Sequence, residues 1–155
     1  MKIVLQRVKD AAVEVQGKIE GEIDRGVCLL IGIEKGDSED DAQYLAKKVV
    51  ELRIFPDREG KMNLSLLEVK GEVLAISQFT LAGSVKKGRR PSFEKAEVPE
   101  RAERLFHYLV ELIRKRGIKV ETGIFGALMD VHLINDGPVT FVLERKKFRK
   151  DKGLG

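Results

Sequence analysis

A chain of 155 residues fits one domain and is long enough to bury a hydrophobic core. Its 43% hydrophobic and 35% charged residues exclude a disordered chain, and no apolar stretch reaches the ~20 residues that span a bilayer. A net charge of +4 permits a polyanionic partner without the excess of a histone-like protein. In chain order, residues 2–8 alternate apolar and polar side chains, as do residues 11–15, which predicts two half-buried strands. The first apolar run is interrupted by Gln6 and Arg7 and is too short for a signal peptide. Gly17 and Gly21 mark turns. Residues 26–33 are continuously apolar and of strand length, so a central strand covered on both faces is expected. A first helix begins near Ser38, with Asp41 as the far half of a capping box and a stripe of Ala42, Leu45, Ala46, Val49 and Leu52.

Val73, Leu74, Ala75 and Ile76 form a further apolar strand, closed by Ser77-Gln78-Phe79-Thr80-Leu81. The second helix starts near Pro99 and ends before Gly117, with Ala102, Leu105, Phe106, Leu109, Leu112 and Ile113 along one face. Strands follow at 118–121, 129–134 and 139–144, the last two separated by Gly137-Pro138. This order is not a regular βαβ alternation. It predicts a single compact α/β domain over residues 1–145, with a mixed or mostly antiparallel sheet and two main helices packed outside. Residues 146–155 are charged and end in glycine, and are expected to form a loosely held tail.

Elimination narrows the chemistry. His107 and His132 both lie off the apolar pattern of their elements, and nothing pairs them with a nucleophile. Cys28 sits in the most apolar strand and reads as a core residue; as the single cysteine it forms no intrachain disulfide, which fits a reducing cytoplasm. Cys and His are too few for a zinc site, and Glu39, Asp40 and Asp41 suit a helix first turn. No phosphate-binding glycine loop is present. On the residues alone, the hydroxyls after Ile76 suit a buried strand end, and Gly137-Pro138 suits a tight turn. That turn's peptide bond is not assigned by sequence, since only ~5–6% of X-Pro bonds are cis. Lys86, Lys87, Arg89 and Arg90 crowd a segment broken by Gly83, Gly88 and Pro91, and a second basic run begins at Arg145.

Ser77-Gln78-Phe79-Thr80-Leu81 and Asn135-Asp136-Gly137-Pro138-Val139-Thr140 together resemble the paired signature of the D-aminoacyl-tRNA deacylases. Leu52-Arg53-Ile54-Phe55, Gly60-Lys61-Met62-Asn63-Leu64-Ser65, Arg90-Pro91-Ser92-Phe93 and residues 121–129 extend the likeness, in the same order, across roughly residues 1–145. The resemblance implies barrel-like sheet curvature and a cytoplasmic, cofactor-free homodimer. Its substrate would be the acceptor end of aminoacylated tRNA, with no membrane or DNA partner. Phe79 would wall in the terminal adenosine, as aromatic rings do for unpaired bases. Ser77 and Gln78 would supply hydrogen bonds, and Thr80 a hydroxyl beside the ester. Phe125 and Met129 would join the substrate site. Gly137-Pro138 would be cis and enter the partner subunit's site, holding the substrate amino group and leaving no room for an L side chain. Glycine mischarged on alanine tRNA would also be removed. The loop cations Lys86, Lys87, Arg89 and Arg90 would meet phosphates.

Two mechanisms are open at this level. Thr80 acts as a nucleophile, which needs a base that the sequence does not supply. Alternatively, the substrate 2′-hydroxyl activates water while backbone N–H groups near Phe79 and Thr80 hold the oxyanion. The rival functions are a noncatalytic RNA-binding module and a generic serine or threonine esterase.

Overall fold

The computed structural model describes residues 1–145; the tail expected at 146–155 lies outside the described residues. The described elements run β1 (Lys2–Val15), β2 (Lys18–Ile23), β3 (Gly26–Gly32), α1 (Glu39–Glu51), β4 (Phe55–Pro56), β5 (Met62–Leu64) and β6 (Glu72–Ser77). A 3-10 turn (Phe79–Ala82), α2 (Pro99–Arg114), β7 (Val120–Thr122) and β8 (Asp130–Glu144) follow. The expected strand at 118–121 thus starts two residues later, and the small β4–β5 ribbon is an addition to the sequence reading.

β1 organises the sheet. It pairs antiparallel with β8 along its length, and on its other side first with β3 and then with β2. β3 runs parallel to β6, and β6 parallel to β7, so the sheet is mixed. β2 curls back towards β7 until a Cβ on Gly21 would lie 2.8 Å from the Thr122 carbonyl oxygen. That close approach nearly shuts the sheet into a barrel, and it requires a residue without a side chain.

The two strands expected at 2–8 and 11–15 are one strand. Its register with β8 shifts between Gln6 and Val8 and again between Val8 and Asp10. These irregularities absorb the exposed Lys9 and Asp10 and exchange the faces. Ile3 and Leu5 pack into the large cluster under the helices, whereas Val8, Ala11 and Val13 pack into a second cluster with Ile23, Cys28, Leu74 and Ile76. A period-two reading sees that change of phase as a break. Likewise, 129–134 and 139–144 merge into β8, with Gly137-Pro138 as a kink inside it.

β3 is the expected central strand, buried at six of its seven positions. Val27, Leu29 and Ile31 meet the helix side, and Cys28 the other cluster. α1 and α2 pack on one another and on that sheet face through Leu45, Val49, Phe106, Leu109 and Ile113. The Asp41 carboxylate accepts from the Ser38 backbone N–H at 2.9 Å, which completes the expected start of α1. Leu52 lies just past the end of that helix but still packs on the cluster. Pro99 opens α2 in its first turn, and Gly117 follows its end with φ +83°.

Candidate active site

The Ser77-to-Leu81 motif departs from the strand end that its hydroxyls suggest. β6 closes at Ser77, the Gln78 N–H donates to the Ile31 carbonyl at 2.8 Å, and the chain then winds into the 3-10 turn. Gly32 makes room for this turn, since a Cβ there would lie 2.7 Å from Leu81 Cβ. The turn's first internal bond runs from the Leu81 N–H to the Gln78 carbonyl at 3.2 Å, so the Phe79 and Thr80 N–H groups precede it. The Thr80 hydroxyl accepts from the Gln78 carboxamide, and a carboxamide is not a base. Phe79 is 58% exposed and contributes to neither core cluster.

A cavity of about 500 Å³ opens beside the motif. Ile76, Ser77, Gln78 and Phe79 form one wall, the start of α2 with Glu97 and Ala102 another, and Phe125, Met129 and Val131 a third. Its size and mostly apolar lining suit a small organic group such as a nucleoside. Ser77, Gln78, Phe79, Phe125 and Met129 are therefore brought together as expected. Thr80 stands next to this wall without lining the cavity, and Gly137 and Pro138 lie outside it. Glu97 carries no signal in the sequence, and Ala102 reads there only as part of the apolar stripe of α2.

The Gly137-Pro138 peptide bond is cis. Gly137 has φ +151°, and a Cβ there would lie 2.6 Å from Val139 Cγ2, so only glycine fits without strain. Two side chains set the turn's aim. The Asn135 carboxamide reaches across it, its oxygen accepting from the Val139 N–H at 2.7 Å and its nitrogen donating to the Thr140 hydroxyl at 3.1 Å. From β1, Arg7 donates through Nε to the Asp136 carbonyl at 2.9 Å and through Nη1 to the Ile54 carbonyl at 2.7 Å. Arg7 is only 8% exposed. In the sequence Arg7 reads merely as an interruption of an apolar run. The signal was its position: it continues the inward phase of Ile3 and Leu5, where an unpaired charge would be costly.

The remaining candidates sit apart. Burial pushes the Cys28 thiol up from 9.0 to about 12, which makes it a poor nucleophile. His107 and His132 are exposed and face Glu103 and Glu14 at 3.7 and 3.1 Å. Lys86, Lys87, Arg89 and Arg90 project from an exposed loop, and among the described residues none of the four is in an ion pair. Arg145, by contrast, is engaged by Asp41 at 3.7 Å and lies over the Tyr44 ring. The later basic residues of that run fall outside the described residues.

The D-Tyr-tRNA(Tyr) deacylase family model matches residues 4–144. The D-aminoacyl-tRNA deacylase of Geotalea uraniireducens is 57% identical over 153 residues, covering 99% of this chain and 98% of that protein. Its counterpart from Bacillus cytotoxicus is 58% identical over 146 residues, covering 94% and 100%. Among solved structures, the c-Myc DNA Unwinding Element Binding Protein matches with TM-score 0.89 at 40% identity, over 95% of this chain and 100% of that one. A probable eukaryotic D-amino acid tRNA deacylase matches with TM-score 0.79 at 19% identity, over 92% and 97%, which is a likeness of fold. A family model that spans the sheet, the cavity and the cis turn leaves one assignment: the chain belongs to the D-Tyr-tRNA(Tyr) deacylase family, hydrolases of the ester between a D-amino acid and tRNA.

Proposed function

We propose that this chain is a chiral proofreading enzyme whose complete site forms only between two copies. The observation that carries the proposal is the exposed Gly137-cisPro138 turn, braced by Arg7 and Asn135 yet outside the lining of its own chain's cavity. A turn so firmly aimed, with nothing of its own chain to act on, suits a neighbour's cavity. β8 supports the same reading. Its one partner among the described strands is β1, and Ile134 and Val142 on it are 51% and 63% exposed, with Leu128 before it at 95%. An apolar edge strand of this length invites a second copy.

In the dimer, the terminal adenosine occupies the cavity against Phe79 and Phe125, with Ser77, Gln78 and Met129 completing its walls. The partner's Gly137 and Pro138 carbonyls hold the α-amino group and fill the space that an L side chain needs. D-residues of any size are cleaved, glycine on alanine tRNA is cleaved because it has no side chain to exclude, and L-residues are refused. The Gln78–Thr80 bond favours substrate-assisted chemistry. Thr80 has a carboxamide as its partner instead of a base, so the substrate 2′-hydroxyl activates water and the Phe79 and Thr80 N–H groups receive the oxyanion. The exposed loop cations meet acceptor-stem phosphates, which position many tRNAs without reading their sequence. No helix among the described residues is long and apolar enough to cross a membrane, and a tRNA substrate assigns the work to the cytoplasm.

Complementation tests the shared site. Phe79→Ala damages the cavity and Gly137→Ala the turn, so each homodimer is impaired at both sites. Mixed dimers contain one intact site, and random exchange should restore about a quarter of wild-type activity. Mixing with demonstrated subunit exchange and no recovery would count against a cross-subunit site.

A further inference from the structure

We infer that Phe93 is a positioning residue that fixes the Phe79 ring at the cavity and joins it to the basic loop, so that phosphate docking and ring placement are mechanically linked. This rests on the proposal that the cavity beside Phe79 receives the acceptor end. Phe79 is 58% exposed and needs a support that the core does not provide. The Phe93 ring supplies it, with centroids 5.2 Å apart and planes tilted by 58°, a favourable aromatic geometry. Phe93 also lies against Gly83, where a Cβ would come within 2.8 Å of its Cε1. Gly83 closes the 3-10 turn that carries Phe79, so one ring grips both the side chain and its backbone.

The connection onwards to the cations is short. Ser84 and Ser92 exchange backbone hydrogen bonds of 2.7 and 2.8 Å and close the root of the loop next to Phe93. Beyond it, the Ala96 N–H donates to the Phe93 carbonyl at 3.0 Å, and the Lys35 N–H to the Lys95 carbonyl at 2.8 Å. The root is thus held while the tip, with Lys86 and Arg89, projects into solvent. Phe93 itself is 40% exposed and belongs to neither apolar cluster, so a role in global stability does not explain it.

The test measures kcat and KM on two esters, D-tyrosyl-tRNA and the D-tyrosyl ester of adenosine, which lacks phosphates. Phe93→Ala should lower kcat on both by roughly five- to tenfold, the scale of one lost aromatic pair, while Phe93→Tyr restores it. Lys86→Gln with Arg89→Gln should raise KM and lower kcat on the tRNA ester alone. In the Phe93→Ala background the same pair should raise KM without a further fall in kcat, because the link is already broken. The thermal midpoint of Phe93→Ala should match wild type. A Phe93→Ala kcat within twofold of wild type, or a Phe93→Tyr enzyme as slow as Phe93→Ala, would overturn the inference. Phe79→Ala separates the two levels. If it is slow while Phe93→Ala is not, only the positioning role fails; if it too is unaffected, the cavity assignment falls with it.

Discussion

At the scale of single residues, the proposed site comprises groups that would meet substrate and groups that aim them. Thr80 gives the sharpest test of the proposed mechanism. Its hydroxyl is held by the Gln78 carboxamide, so Thr80→Ala should leave a substantial rate, because the backbone N–H groups remain. A substrate with a 3′-ester but no 2′-hydroxyl should be far slower in single-turnover assays. A nucleophilic threonine reverses that order, and a trapped aminoacyl-Thr80 would decide for it. Arg7 is the main case among the aiming groups. Arg7→Lys keeps the charge but loses the planar fork that serves the Asp136 and Ile54 carbonyls together. One buried carbonyl left unserved should cost ~1–3 kcal/mol in urea unfolding. A turn misaimed by even ~1 Å should lower kcat ~100-fold. A lysine variant with wild-type kcat would show that Arg7 does not aim the turn.

At the scale of elements, β8 carries the heaviest load, since it pairs with β1 along its length, presents the turn and offers an apolar edge. Val142→Lys places a charge on that edge at a 63% exposed position, away from both core clusters. Light scattering should then fall from twice the 17.4 kDa chain mass to the single mass, with D-aminoacyl-tRNA hydrolysis lost in parallel. A fully active monomer would contradict the shared site. Elements with a strong local signal were legible in advance. Ser38 with Asp41 marks the start of α1, Pro99 and Gly117 bracket α2, and the unbroken run through Cys28 and Leu29 gives the central strand. What escaped depends on long-range geometry. The faces of β1 exchange because of register with a strand more than a hundred residues away, and no local window contains that partner. Phe79 turns out of the sheet because Gly32, on another strand, leaves room for the 3-10 turn. The cavity residues Phe125 and Met129 were legible through family likeness, whereas Arg7 and Phe93 gain meaning only from what they touch.

At the scale of the whole molecule, the proposed function draws on an apolar cavity beside the start of α2, an exposed loop whose four cations are in no ion pair among the described residues, and an edge strand with exposed apolar side chains. In the proposed dimer, the loop cations would hold any tRNA by its phosphates and the shape of the shared pocket would carry the discrimination. On the proposed reading, shape alone, through exclusion by the cis turn, separates D from L. Side-by-side hydrolysis of D-tyrosyl-, glycyl- and L-alanyl-tRNA at high enzyme concentration tests it most directly, because the alanyl methyl is the smallest L side chain. Rapid cleavage of the D-tyrosyl and glycyl esters is expected, with none of L-alanyl above the spontaneous rate. Rapid hydrolysis of L-alanyl-tRNA would contradict it.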